Sequence, residues 1–315
     1  MTPAVADAGG LVGRDGSEMT IALNELWTGV AALATILLGV RINRWVPVFS
    51  EYSIPPAVTG GLLVAILLTI VGSMTGMSVS FAETLRNALL LIFFAALGLT
   101  ARFRGLTSGG GAVARLCVLI AVLAIAQSAI GVALASAFGR PAALGVFLGS
   151  VPFLGGHGTT VAWAEAELAA GLPHALEIGM VCATLGLVAG AVVSGIVGTR
   201  LARRVAPESG GTAHPKAASA DRLQTPFDSD RWVTVLLWLA LSIGVGLAAR
   251  PLANEAFGTN LPAFLAVLLA AVLVTNLADL LKLDIDLHGA DLVGTLALRV
   301  FLAIAMLGLQ LAAVG

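Results

Sequence analysis

Eight stretches of the chain carry no more than two charged residues each: 20–40, 53–75, 84–101, 112–138, 174–199, 231–249, 261–280 and 291–312. A hydrocarbon layer of about 30 Å needs roughly 20 helical residues, so each run predicts a membrane-crossing helix. A ninth apolar stretch, 141–165, reads PAALGVFLGSVPFLGGHGTTVAWAE and is interrupted by Pro141, Pro152, Gly155, Gly156 and Gly158. It predicts a re-entrant hairpin that enters and leaves on one side, not a crossing. Residues 1–19 have no basic cluster followed by an apolar core, so they read as a disordered leader and not as a signal peptide. Residues 205–230 collect Pro, Gly, Ser and charge, the composition of an exposed linker.

Basic residues in short loops stay on the cytoplasmic side. With the N-terminus outside, twelve fall inside: Arg41, Arg44, Arg102, Arg104, Arg115, Arg200, Arg203, Arg204, Lys216, Arg222, Arg231 and Lys282. Four fall outside, Arg14, Arg86, Arg140 and Arg250, and Arg299 lies within a span. Counting 141–165 as a full crossing would put Arg200 to Arg204 outside, so the asymmetry also favours the hairpin.

The two sides of the linker begin alike. Trp27 and Trp232 open a first helix, Ile54-Pro55 and Leu261-Pro262 a second, and Leu97-Gly98-Leu99 and Leu307-Gly308-Leu309 close a third. Trp to Pro spans 28 and 30 residues, Pro to Gly 43 and 46. Five crossings, an odd number, precede the second copy, which makes the repeat inverted, as in many secondary transporters. The expected fold is an all-α polytopic membrane protein: five helices and a re-entrant loop at 20–204, then three helices of an incomplete inverted repeat at 231–315. Residues 112–200 have no counterpart in the second half, so some 89 residues are expected to be lacking.

Composition narrows the function. The chain is 58% hydrophobic and 11% charged, with a formal charge of −1; soluble domains carry about 25% charged residues. This argues against a soluble enzyme and against a nucleic-acid partner. Cys117 and Cys182 stand alone in apolar stretches, so neither a disulfide framework nor a zinc site is indicated. No HExxH, GxSxG or GxxxxGK[ST] signature occurs, and the helix between Ser150 and His157 is broken, so no enzyme is expected and no organic cofactor.

The chemistry is expected at the hairpin. Irregular backbone in a membrane is tolerated only where it is covered by protein or lines water. The tip Gly155-Gly156-His157-Gly158 frees backbone groups, and Thr159 is placed to cap a returning half-helix over 160–165. Freed N–H groups suit a carboxylate, while freed carbonyls and the hydroxyls of Thr159 and Thr160 suit Na⁺. Duller roles stand beside these: glycines for close helix packing, His157 as a structural histidine, Gln127 as an interhelical hydrogen bond. Gln127, Thr184 and Arg299 are further candidate contacts. Arg299, counted from 291, lies some eight residues into its span, and it either serves function or pairs with a carboxylate such as Asp291 or with the segment expected to be lacking.

At GGHGTTVAW (Gly155 to Trp163) the sequence resembles the bacterial sodium/glutamate symporters. Further matching stretches are YSIPPAVTGGLLVA (Tyr52 to Ala65), LRNALLLIFFAALGL (Leu85 to Leu99), QSAIG (Gln127 to Gly131) and CATLGLV (Cys182 to Val188). Leu154 stands where the family tends to carry a serine. The resemblance implies ten helices in two inverted halves, each with a glycine-rich re-entrant loop. It implies Na⁺ as coupling ion, uptake of L-glutamate across the bacterial cytoplasmic membrane, and a homodimer with an elevator-like motion. Two other readings of the residues are a symporter for another dicarboxylate and, were the chain to end natively at Gly315, a membrane scaffold or partner subunit.

Overall fold

The computed structural model describes residues 11–15, 18–47, 49, 54–103, 110–168, 171–172, 174–205, 229–258 and 261–308. The helices are α1 (Glu25–Trp45), α2 (Pro56–Thr75), α3 (Glu83–Leu99), α4 (Gly110–Ala137), α5 (Ser150–Leu168), α6 (Ala175–Val205), α7 (Ser229–Phe257), α8 (Ala263–Leu280) and α9 (Leu287–Leu307), with a 3₁₀ turn at Ala142–Val146. Among the described residues seven are long and apolar enough to cross a membrane: α1 to α4 and α7 to α9. The eighth expected crossing, 174–199, falls on α6, a helix of 31 residues. The linker expected at 205–230 lies outside the described residues except for Val205, Ser229 and Asp230.

Helix boundaries depart from the apolar runs where a local polar group decides. The first helix starts at Glu25, not 20, because Asn24 caps it, its Oδ1 accepting from the Trp27 N–H at 3.0 Å. Two described segments ahead of it belong to a small sheet. Strands β1 (Leu11–Asp15) and β2 (Glu18–Ala22) pair antiparallel, and β2 pairs parallel with β3 (Met77–Ser80). This corrects the disordered leader for residues 11–15, 18 and 19, the rest of 1–19 lying outside the described residues: the end of α2 and the start of α1 lie on one face, which brings β3 within reach of a chain that no local pattern would fold. The last helix begins at Leu287, not 291, because Asp286 caps it by accepting from the Gly289 N–H at 3.1 Å.

Six helices form a bundle around α3 and α9, which pack on each other. Helix α1 packs on α2 and α7 on α8; α3 lies against α8 and α9 against α2. Exchanging α1 with α7, α2 with α8 and α3 with α9 leaves this set of pairs unchanged. Lipid tails give helices no hydrophobic reason to associate, so close backbone approach at small residues supplies the contact. A Cβ on Gly98 of α3 would stand 2.5 Å from the Leu268 carbonyl oxygen of α8, and one on Gly246 of α7 would stand 2.6 Å from the Val267 Cα. Polar groups close the helix ends: Arg102 pairs with Asp279 at 3.3 Å, and Asn276 accepts from the Phe103 N–H at 2.8 Å.

Candidate functional site

Residues 141–165 enter along α4. The approach is backbone to backbone: a Cβ on Gly131 or Gly145 would collide with the opposite main chain, and one on Gly149 would lie 2.8 Å from the Gln127 carbonyl oxygen. Ser128 and Ser150 share a hydrogen bond of 2.7 Å across this contact. Ser150 is therefore occupied in fastening the entering limb to α4.

The chain then folds back at Gly156. Its φ of 72° and ψ of −161° interrupt α5, in a region that only glycine occupies without strain. In a straight helix residues eight apart are about 12 Å apart along the axis, yet the Thr159 hydroxyl donates to the Val151 carbonyl at 3.1 Å, with the Gly156 carbonyl at 3.2 Å as its alternative acceptor. A Cβ on Gly155 would collide with the Thr159 side chain. The segment is thus helix, reversal, helix, as its prolines and glycines predict. Thr159 does not have the capping role expected of it: its hydroxyl spends its proton on carbonyls and staples the two limbs together. Thr160, fully buried, donates to the Gly156 carbonyl at 2.7 Å. Both hydroxyls keep their lone pairs, and together with the Gly156 carbonyl they collect neutral oxygen acceptors around one turn.

The returning limb is held on both sides. A Cβ on Gly179 of α6 would stand 2.5 Å from the Thr160 Cγ2. Toward the bundle, Val161 and Ala162 pack with Phe94, Phe264 and Phe301, and the Trp163 ring meets Phe264 edge-on at 5.9 Å. At the tip, a Cβ on Gly158 would lie 3.2 Å from the Leu298 Cδ1 of α9 and 3.7 Å from the Phe93 ring. The hairpin therefore ends against the central helix pair.

Gln127, whose main chain lies against Gly149 of the entering limb, has its Oε1 buried and without a donor among the described residues. That is not the satisfied interhelical hydrogen bond expected of it. The side chains of His157 and Thr184 lie outside the described residues. Arg299 is exposed, twelve positions after Leu287 and so about 18 Å into its helix, deeper than the apolar run implied because α9 starts earlier. It makes no ion pair with Asp291 or with any other described residue. On the same side of α9, His288 and Thr295 are also exposed; the sequence reading singled out neither. A cavity of about 630 Å³ lies elsewhere, between α2, β3, the start of α3 and the end of α9, lined by Thr69, Ser73, Arg86 and Ile304 among others. It contains none of the hairpin residues.

Comparison with known proteins places this architecture. The family model for sodium/glutamate symporters matches residues 21–315. The chain belongs to the sodium/glutamate symporter family. The sodium/glutamate symporter of Escherichia coli (strain K12) is 34% identical over 298 residues, covering 92% of this chain and 73% of that protein. That of Shigella flexneri matches to the same extent, and that of Haemophilus influenzae is 31% identical over 306 residues, 93% of this chain and 74% of the relative. No solved structure matches. Within a symporter family, the hairpin that reverses at Gly156 is the one described segment with irregular backbone docked among long apolar helices, which is where a membrane carrier exposes main-chain groups to its cargo.

Proposed function

We infer that this chain is a secondary transporter that imports L-glutamate together with Na⁺, and that the hairpin tip is where both are held. Family membership supports the cargo; the reversal at Gly156, stapled by Thr159 and Thr160, is the observation that carries the site. Among the described residues no three His, Cys, Asp or Glu side chains come together. A coupling ion at the tip would therefore rest on neutral oxygens: the Gly156 carbonyl, the hydroxyls of Thr159 and Thr160, and Gln127 Oε1. Main-chain N–H groups at Gly155, Gly156, His157 and Gly158, at the start of the returning limb, would face a substrate carboxylate, with Thr184 and Arg299 as outer contacts. Na⁺ occupancy would then favour the anion by charge, which couples the two binding events.

The orientation that supports this reading has the N-terminus outside the cytoplasmic membrane, from the distribution of Arg and Lys. The exchange of packing partners between α1–α3 and α7–α9 supports an inverted repeat, with 20–204 and 231–315 as its halves. Alternating access would follow from movement of the α4 to α6 unit against the six-helix bundle, in a homodimer. The test is uptake of labelled glutamate by the purified full-length protein in liposomes. Replacing external Na⁺ by choline at fixed pH should reduce uptake to background. Equal uptake in choline would refute the coupling, and competition by malate over glutamate would refute the cargo.

A further inference from the structure

Helix α9 carries its exposed residues on one face. At 100° per residue, His288, Asp291, Thr295 and Arg299 fall within an arc of about 80°, and all four are exposed. Leu292 and Leu296, 44% and 60% exposed, lie beside that arc on one edge. On its other edge, about 20° beyond Asp291, lies Leu298, the residue that meets Gly158 of the hairpin tip. The remaining circumference is buried against α2, α3 and α1. The exposed face is thus divided lengthwise into a polar strip next to the hairpin and an apolar strip away from it.

A membrane does not tolerate the polar strip unaided. Asp291, Thr295 and Arg299 make no hydrogen bond or ion pair with any described residue. Arg299 stands twelve residues from one end of α9 and eight from the other, too far for its side chain to reach either interface with ease. Ionisable groups at such depth face water or protein, not lipid. The strip also has a direction. It starts at the end of α9 where Arg231 of α7 pairs with Asp286, the cytoplasmic end in the proposed orientation, and stops one residue past the contact with the tip.

We propose that His288, Asp291, Thr295 and Arg299 form one wall of a water-filled path joining the cytoplasmic face to the hairpin tip, and that Arg299 at its inner end faces a carboxylate of the substrate as it leaves. This rests on the symport reading of the hairpin. The charges suit a cargo of an organic anion with a cation: the guanidinium draws the carboxylate off the tip, and Asp291, two turns nearer the cytoplasm, keeps the wall from holding the anion. The leucine strip beside it is the boundary with lipid.

The test is accessibility in the full-length protein in its own membrane, with Cys117 and Cys182 first replaced by Ala. Single cysteines are introduced as Asp291→Cys, Thr295→Cys and Arg299→Cys on the strip, and as Leu292→Cys and Leu296→Cys beside it. A charged, membrane-impermeant maleimide is applied to inverted vesicles and to intact cells. The expected result is labelling at 291, 295 and 299 from the cytoplasmic side, none at 292 and 296, and several-fold slower labelling at 295 and 299 when glutamate and Na⁺ are both present. No labelling on the strip would mean that protein or a second copy of the chain covers it, and would overturn the path. Labelling unaffected by glutamate and Na⁺ would overturn the role in substrate passage. Should Arg299→Cys fail to insert, the milder Thr295→Cys decides by itself. Na⁺-dependent uptake by the cysteine-free parent is scored separately, so failure of the symport reading and failure of the path give different results.

Discussion

Gly98 and Gly156 are both glycines in apolar helices, and they are there for opposite reasons. A Cβ on Gly98 has ordinary backbone angles but no room, with Leu268 and Ala271 of α8 within 2.6 Å. A Cβ on Gly156 has room, with no described atom inside 4 Å, but no permissible backbone, at φ +72°. The first is typical of the six-helix bundle, where between 22% and 56% of the apolar stretch of each helix is buried inside the chain. The second belongs to the α4 to α6 unit, where the corresponding share of α4 is 6% and only the hairpin is gripped from both sides. One region uses glycine to bring helices together and the other to turn the chain. Substitutions should therefore separate stability from transport.

The largest separation is expected from Gly156→Val. Valine must adopt a conformation reserved for glycine, at about 1–3 kcal/mol, and the cheapest relief is to straighten the hairpin. Uptake of glutamate should fall to background while the protein remains in the membrane at normal amount and melts, in detergent, near the parent temperature. Normal uptake would remove the tip from the site. Next comes Gly98→Val, with the opposite signature. The overpacked α3 to α8 contact should cost about 1–3 kcal/mol and lower the melting temperature. The same change at exposed Gly190 of α6, where no described atom stands within 4 Å, should leave it in place. Equal effects at Gly98 and Gly190 would dissolve the contrast between the two regions.

What could be read from the sequence follows from the same contrast. Spans were legible because about 20 apolar residues in a row have few alternatives to a helix in lipid, and the hairpin because Pro and Gly there contradict a crossing. Boundaries were less legible because single polar residues set them. Asp286 moves the start of α9 back by a turn, and with the helix taken from 291 the strip of His288, Asp291, Thr295 and Arg299 was not visible as one face. The β1–β2 hairpin was hidden because β3, distant in sequence, completes its sheet. The role of Thr159 was misassigned because a hydroxyl before a half-helix suits a cap, whereas the reversal brings the Val151 carbonyl closer than any N–H that sequence spacing reveals.

Thr160 sharpens the comparison within the hairpin. Valine keeps the methyl that packs toward Gly179 and removes the hydroxyl that donates to the Gly156 carbonyl. A lost neutral hydrogen bond is worth about 0.5–1.5 kcal/mol, so Thr160→Val should lower stability only slightly. If the same oxygen holds the coupling ion, half-maximal uptake will need several-fold more Na⁺, and Thr160→Ser will restore it. A shift in glutamate affinity with unchanged Na⁺ dependence would assign the hydroxyl to the anion instead.

The smallest effect should come from the bundle's end, where Asp286 caps α9 and pairs with Arg231. The hydrogen bond from Arg231 holds the Asp286 carboxyl below the usual carboxylate range, with help from the Gly289 N–H and the nearby positive charges, against the opposing cost of burial. The lowered value means that the folded state prefers the ionised form. The resulting stability is complete above the unfolded carboxylate range and is lost as pH falls through the folded value. Asp286→Asn keeps an oxygen for the cap and removes the charge, so at neutral pH it should be less stable than the parent by less than about 1 kcal/mol for a pair near the surface, read as a slightly lower melting temperature. On acidification the parent should descend toward the variant. If the two curves run parallel down to about pH 3, the ion pair contributes nothing. The junction of α7 and α9 is then held, like the α3 to α8 contact, by packing alone.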